Sequence, residues 1–559
     1  MDDLPCADAL HAAFLRSPYA HARIQSIDVS GALAAGAAAA FTAEDMGPAC
    51  KEYPQPVPYP GLRARSILPL ARGIARYVGE PIALVLAESR ALAEDALEKI
   101  RTNFDVLPPV AHPVDALKKD APLVHEDLGD NLAVRVETRY GDVEGALSRA
   151  PRRERIRLTT QRAGGEAMET RGYLVLYNRE FDELTIYSST QVPHQIRRNI
   201  GYVLDRAEAS INVIAPDVGG GFGPKAFSYS EDFVLPWAAM QVGRPIKWIE
   251  DRIEHIQTTY QEREQVHEVE VGYDEEGRIL ALRDRGVFDT GAYVPFSVVV
   301  PYISITNIPG PYKIKHFEAV MDVAYTHRVP ITPVRGAGRP QSVFIMERVV
   351  ERISSRLGID SAEVRRRNLI QPDELPYEVG IKARDGTMMT YDSGDYPALM
   401  EMALDRAGYD DFRKGIRRPG EENDPDNGRY VGMGVSFNLE GTGFGPYEGA
   451  VVRVDHSGQV LLYTGATPTG QGHETILGQV LAAVLNLDPK HIKVVTGDTR
   501  HIPYGYGTFA SRIAVLASNS VAVAGDAMRK KILEFASGGL ECSAKDLEFA
   551  EGKVFVKGS

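Results

Sequence analysis

Four glycine-rich segments carry the residue types best suited to chemistry in this chain. Gly219-Gly220-Gly221-Phe222-Gly223-Pro224-Lys225 follows an apolar run, Ile211 to Ala215. Glycine there lets the backbone approach a ligand closely and turn its N–H groups toward an anion. No Ser or Thr follows Lys225, so this is not a Walker loop, and the spacing is not that of a dinucleotide fingerprint. Val334-Arg335-Gly336-Ala337-Gly338-Arg339-Pro340-Gln341 precedes a long periodic stretch, which places its N–H groups at a helix N-terminus, where anions are favoured. Its two arginines are able to clamp phosphate bidentately. Gly465 to His473 presents Gln471 between Gly470 and Gly472, an amide suited to a planar hydrogen-bonding ligand, and His473 reads as a helix cap. Gly505-Tyr506-Gly507-Thr508-Phe509-Ala510-Ser511-Arg512 again leads from loop into helix. Each segment alone also fits a flexible turn or a solvated loop. Together they suit one large, phosphate-bearing, amide-rich ligand; a pterin dinucleotide needs this many loops and a mononucleotide does not.

The elements that must position these loops are mixed α and β. Ile82 to Ala87 is a buried strand, and Ser89 caps a helix with Leu92, Ala93, Ala96, Leu97 and Ile100 on one face. The polar stretch from Ala111 to Asp130 reads as a linker. Three hairpins share an acidic turn with Gly: 269–282, 451–463 and 547–556. Val343, Met346, Val350, Ile353 and Leu357 form a helix face that stops at Gly358, and Asp360 to Glu363 reads as a capping box. A later helix carries Ile476, Leu477, Val480, Leu481, Val484 and Leu485. The charged, Pro- and Gly-containing stretch from Pro419 to Asn427 is a domain boundary.

The bulk composition narrows the function classes. A length of 559 residues implies two to four domains of ordinary size. The 44% hydrophobic and 25% charged content is that of a water-soluble globular chain. A net charge of -13 argues against nucleic-acid partners and anionic membranes. No apolar run is long enough to span a bilayer, and the acidic N-terminus does not resemble a signal peptide, so a cytoplasmic location is expected. Cys6, Cys50 and Cys542 are too few for an iron–sulfur cluster, so electrons would have to leave through another polypeptide.

With these motifs in order, the chain resembles the large subunit of the xanthine dehydrogenase/aldehyde oxidase family, on the branch of the aerobic carbon monoxide dehydrogenase large chains. The residues that carry the likeness are Gly219 to Gly223, Ser188-Ser189-Thr190-Gln191-Val192-Pro193-His194, Arg335 to Pro340 and Gly470-Gln471-Gly472, together with Val78-Gly79-Glu80-Pro81 near the start. The resemblance implies an α+β architecture: an α/β hammerhead domain over 1–125, a first molybdopterin-binding domain over 126–415 and a second over 416–559. It implies a molybdenum pterin cofactor, as the cytosine dinucleotide, and hydroxylation of a carbon with oxygen from water. Electrons would pass to a 2Fe-2S small subunit and an FAD medium subunit. Gln191 would bond an oxygen ligand of the metal, Phe222 would lie beside it, and Arg335 would support the pterin loop; these three form the implied catalytic set. Gly220, Gly221, Gly223, Gly336, Ala337, Gly470, Gln471, Gly472, Thr508, Ser511 and Arg512 would contact the cofactor. No side chain is expected to ligate the metal.

Departures from the family pattern set further expectations. Ala226 stands where purine-oxidising members have Glu, Ala337 where they have an aromatic, and Glu318 where they have a purine-anchoring Arg. Thr332-Pro333-Val334-Arg335 lacks the Cys of true carbon monoxide dehydrogenases. Aldehydes and N-heteroaromatics remain as substrates, with Phe444 and Tyr447 either lining the mouth of the site or packing in the core. The family's general base is a Glu in a Gly-Glu motif far toward the C-terminus, and no equivalent is found here. A separate chain would then supply it. The alternative is a non-catalytic cofactor-binding or assembly fragment.

Overall fold

The computed structural model describes residues 1–558 except 54–56, 297, 384–385, 418–419 and 421. Two of the positions in the expected boundary at 419–427 therefore lie outside the described residues; Pro425–Asn427 forms a short 3₁₀ turn.

The largest sheet has seven strands. Their order is Ile211–Ile214, Glu183–Ser188, Gly172–Asn178, Ile246–Ile249, Leu10–Arg16, Pro81–Ala87 and Ala39–Thr42. Its two halves meet where Leu10–Arg16 runs parallel to Ile246–Ile249, with Leu10 opposite Ile246. Pro81–Ala87 is buried along its whole length, which explains its unbroken apolar sequence: both faces are covered. Ser89 accepts a hydrogen bond from Leu92 N and caps the helix that follows. The N-terminal segment therefore does not close on itself. It shares this sheet, and one contiguous apolar core that runs from Leu10 to Phe437, with the residues after it. A second, smaller core is built from Val460, Leu462, Leu477, Leu481, Val521 and Phe549.

A five-stranded sheet, in the order Leu132–Tyr140, Phe317–Tyr325, Ile279–Gly291, Gln265–Tyr273 and Arg152–Thr160, contains the first expected hairpin. The others form as Ala450–Val454 with Val460–Thr464 and as Leu547–Ala550 with Lys553–Val556. The stretch 111–130 is packed, not a free linker. Asn131 Nδ2 donates to the carbonyls of Ala116 and Pro122, its Oδ1 accepts from Val124 N, and Val124 and His125 are buried. Helix Arg339–Leu357 ends at a left-handed Gly358 as its sequence dictates. Asp360 accepts from the amides of Ala362 and Glu363, but Glu363 turns to Arg366 and Arg367, so the expected capping box is only half made.

Two of the four glycine loops occupy equivalent places. Val460–Thr464, helix His473–Leu485 and the parallel strand Ile492–Thr496 make one βαβ unit, and the loop at 465–472 leaves the carboxyl end of its first strand. The loop at 219–223 likewise follows Ile211–Ile214 and precedes helix Glu231–Val242. Open α/β sheets bind ligands outside such strand ends. The loop at 335–340 opens helix Arg339–Leu357.

A buried ion network ties the large sheet together. Arg171 donates to Glu231 Oε2 at 2.9 Å and Glu250 Oε1 at 2.6 Å, and Arg16 donates to Glu231 Oε1 at 2.7 Å and to Glu254. The Arg171 guanidinium also lies 3.9 Å from the Tyr229 ring centroid. Removing one member of a buried pair strands the other charge, at about 3–5 kcal/mol. Arg171→Met is therefore expected to lower unfolding stability by roughly that amount in urea titration, while Arg152→Met, at the exposed pair with Glu275, leaves the midpoint unchanged.

Candidate functional site

Gln191 is the residue through which two of the loops are joined. It is buried, follows the strand Glu183–Ser188, and its amide is used at both ends. Oε1 accepts from Gly223 N at 3.0 Å, and Nε2 donates to Thr508 O at 2.6 Å. Its backbone carbonyl accepts from Thr508 N at 3.0 Å, and its own N–H donates to Lys225 O at 2.8 Å. The glycines around it are required by space. A Cβ on Gly221 would lie 2.5 Å from Gln191 Oε1, and one on Gly507 would meet Gln191 O at 2.7 Å.

The other loops close on this pair. Arg335 N donates to Phe222 O at 2.8 Å, and Arg263 donates to the Arg335 carbonyl. A Cβ on Gly223 would collide with Pro333 O. Thr467 N donates to Thr508 Oγ1 at 3.0 Å, and Gly465 and Gly505 pass backbone against backbone. Gly443 N donates to Ser511 O at 3.2 Å. Residues from 191 to 512 thus converge on one place.

Several groups there are free to meet a ligand. Among the described residues, the N–H groups of Gly221, Phe222, Gly336, Gly470, Gln471, Gly472, Phe509, Ala510 and Ser511 donate to no protein acceptor. Thr332 Oγ1, Thr467 Oγ1, His194 Nδ1 and both amide atoms of Gln341 are buried without partners. Buried polar atoms are seldom left so in a finished interior. Phe222, Ala337, Ala510 and Ser511 also take positive φ, between 50° and 55°. Side chains rarely adopt that conformation, and clustered strain of this kind marks ligand clamps. Phe222 is 44% exposed despite its size.

The individual expectations fare differently. Gln191, Gly220, Gly221, Phe222, Gly223, Arg335, Gly336, Ala337, Thr508 and Ser511 all lie on the converging loops. Arg335 reaches them through its backbone; its guanidinium is exposed and unpaired among the described residues. Gly470 and Gly472 stand in open solvent, and Gln471 folds back so that its Oε1 accepts from Thr469 N at 2.6 Å, leaving its NH₂ outward. Arg512 corrects its expected contact role. It is fully buried and spends its donors inside the protein: on Glu448, on Gly507 O at 2.9 Å, and on the carbonyls of Phe444, Pro446 and Tyr447. It holds the 444–448 turn against the 505–512 loop. His473 caps nothing: Gly472 is the N-cap, and the imidazole is buried. Phe444 and Tyr447 are 48% and 67% exposed, which removes the core alternative. Glu318 pairs with Arg283 and Arg285 across the five-stranded sheet.

Two acidic residues were not foreseen. Glu169 accepts from Gly219 N at 2.8 Å and pairs with the buried Lys225 and the Met1 ammonium. Against the upward push of burial, these partners hold its carboxyl below the usual range. Glu262 is fully buried against the 334–338 loop, and neither of its oxygens has a well-formed hydrogen bond, although Arg263 Nη1 comes within 2.6 Å. Burial raises it to about 8, only partly offset by Arg263 and the amides of Val334 and Gly338. No local motif announces either residue.

With this geometry in place, comparison with known proteins is decisive. The family described as "Aldehyde oxidase and xanthine dehydrogenase, a/b hammerhead domain" matches residues 1–108, and "Molybdopterin cofactor-binding domain" families match 124–369 and 402–559. The chain belongs to the xanthine dehydrogenase/aldehyde oxidase family. It is 34% identical to the 6-hydroxypseudooxynicotine dehydrogenase complex subunit gamma of Paenarthrobacter nicotinovorans, over 100% of this chain and 70% of that one. It is 32% identical to the carbon monoxide dehydrogenase large chain of Afipia carboxidovorans, covering 100% and 71%. The crystal structure of quinoline 2-oxidoreductase from Pseudomonas putida 86 superposes with a TM-score of 0.91 at 31% identity, covering 100% and 71%. The chain is thus a molybdenum-dependent oxidoreductase of the large-subunit type, on the carbon monoxide dehydrogenase branch, and its free amides, orphaned polar atoms and glycine cradle fit a molybdopterin.

Two measurements follow. Gly221→Ala displaces Gln191, and the exchange of the Gly223 amide should quicken several-fold, as expected for a lost hydrogen bond contributing roughly 1 kcal/mol. Glu262 keeps its proton in the folded chain up to about pH 8 but loses it in the ordinary carboxylate range when unfolded. The folded state binds more protons across that window, so Glu262 makes stability fall as pH rises from about 5 to about 8. Glu262→Gln should remove this part of the slope in thermal melts.

Proposed function

We propose that this chain is the cofactor-binding large subunit of a molybdenum hydroxylase that oxidises an aldehyde or an N-heteroaromatic carbon. The observation that carries the reading is the Gln191 amide, which draws the 219–223 and 505–512 loops together and leaves their outward N–H groups free. When bound, the cofactor supplies the redox centre at which oxygen from water is transferred.

The chain's own residues bind and orient. The free amides at Gly221, Phe222, Gly336 and Phe509 to Ser511 receive pterin and phosphate acceptors, with Gln471 Nε2 as a further donor. A cytosine dinucleotide is the form we assign. Gln191 retains its second Nε2 hydrogen for an oxygen acceptor beside the metal, and exposed Phe222 forms the wall next to it. Arg512 acts as a positioning residue. Three units, over 1–125, 126–415 and 416–559, divide these tasks, with the first anchored to the second through the seven-stranded sheet.

Electrons leave through a 2Fe-2S small subunit and an FAD medium subunit, in the cytoplasm. Glu169, whose carboxyl its partners hold below the usual range, is a poor proton acceptor and is not assigned the role of general base.

Purification with the partner subunits, followed by metal and nucleotide analysis, tests the reading. Molybdenum and a cytidine nucleotide should be present in near-equal amounts with the chain, and the absence of both would overturn it. Gln471→Ala should retain less molybdenum at unchanged fold, judged by circular dichroism.

A further inference from the structure

A groove of about 440 Å³ opens beside the 334–340 loop, and of its lining residues only Gly336 is assigned to the cofactor. Pro340, Val343 and Phe344 line it together with Ser436, Asn438 and Glu440. The volume is that of a small-molecule site.

Arg339 borders the groove from its buried end. Only 7% of it is exposed, yet among the described residues its guanidinium donates no hydrogen bond to any protein acceptor. Its acidic neighbour is Glu440, at 3.8 Å and 45% exposed. The Phe444 ring lies 5.2 Å away and offers only a cation–π contact. A guanidinium has five donors in a planar fork, and one left unbonded in the interior is costly. A carboxylate matches that fork with two parallel bonds.

The surrounding charges favour an anion. Glu347 also lines the groove but is engaged by Arg365 at 2.7 Å and Tyr312 at 2.5 Å, so it does not compete for Arg339. Arg348 adds a second, exposed positive charge on the same helix. The wall of Phe344 and Val343 is apolar and suits a ring.

We propose that this groove binds a planar aromatic acid, its carboxylate held by the Arg339 fork and its ring against Phe344 and Val343, as the recognition end of the substrate. The inference deepens the function proposed above and rests on it for the word substrate; the binding itself does not.

The test is calorimetric titration of the full chain, with and without bound molybdenum, using naphthalene-2-carboxylate and naphthalene-2-carboxamide. The acid should bind about tenfold more tightly than the amide, the usual scale of a charge-assisted pair. Arg339→Met should erase that preference, and Arg339→Lys should keep part of it. Glu440→Gln, which removes the competing carboxylate without touching the buried interior, should tighten the acid several-fold and leave the amide unchanged. Equal binding of the two ligands to the wild type, or a preference that survives Arg339→Met, overturns the proposal. An acid preference in protein that never takes up molybdenum upholds the groove while the hydroxylase reading falls; molybdenum present without the preference has the opposite meaning.

Discussion

A single buried carboxamide holds the site together. Gln191 has one acceptor and one pair of donors, and it spends the acceptor on one loop and a donor on another more than three hundred residues later in the chain. Leaving either end unmade would cost the desolvation of a buried polar atom, so the two loops are energetically coupled through it. The glycines then follow as a constraint: wherever a backbone must pass Gln191 or another loop at contact distance, a Cβ has no room. The strained residues, Phe222, Ala337, Ala510 and Ser511, sit on the segments that this coupling draws in.

Arg512 and Arg171 apply the same logic to charge. Each is buried and fastens segments distant in sequence: Arg171 is engaged by Glu231, Glu250 and Thr258 Oγ1, and Arg512 by Glu448 and backbone carbonyls. Arg339 is the contrast: only 7% of it is exposed, yet among the described residues its guanidinium donates no hydrogen bond to a protein acceptor.

Much of this was legible in the sequence because glycine and turn chemistry act locally. The hairpins, the stop at Gly358, the cap at Ser89 and the position of the glycine loops all depend on neighbours a few residues away. The identity of the site was legible because Gln191 and the loops recur together in one order. What stayed hidden depends on distant partners. Arg512 read as a ligand contact because its partner Glu448 lies far upstream, and Glu169 and Glu262 carry no motif at all. Glu363 read as half of a capping box, but two arginines on its own helix outcompete the backbone N–H. That the N-terminal segment shares a sheet with Ile246–Ile249 was hidden because nothing in its own residues reveals the strand it will pair with.

That pairing has a consequence for synthesis. Leu10–Arg16 leaves the ribosome long before its parallel neighbour Ile246–Ile249. In the interval the N-terminal strands present an open hydrogen-bonding edge above an unfinished core, the condition under which nascent chains stick to one another. The segment that carries Leu10–Arg16 is therefore a natural client for chaperones until Ile246–Ile249 is made, and expressing it without that strand would yield aggregates instead of a small soluble domain.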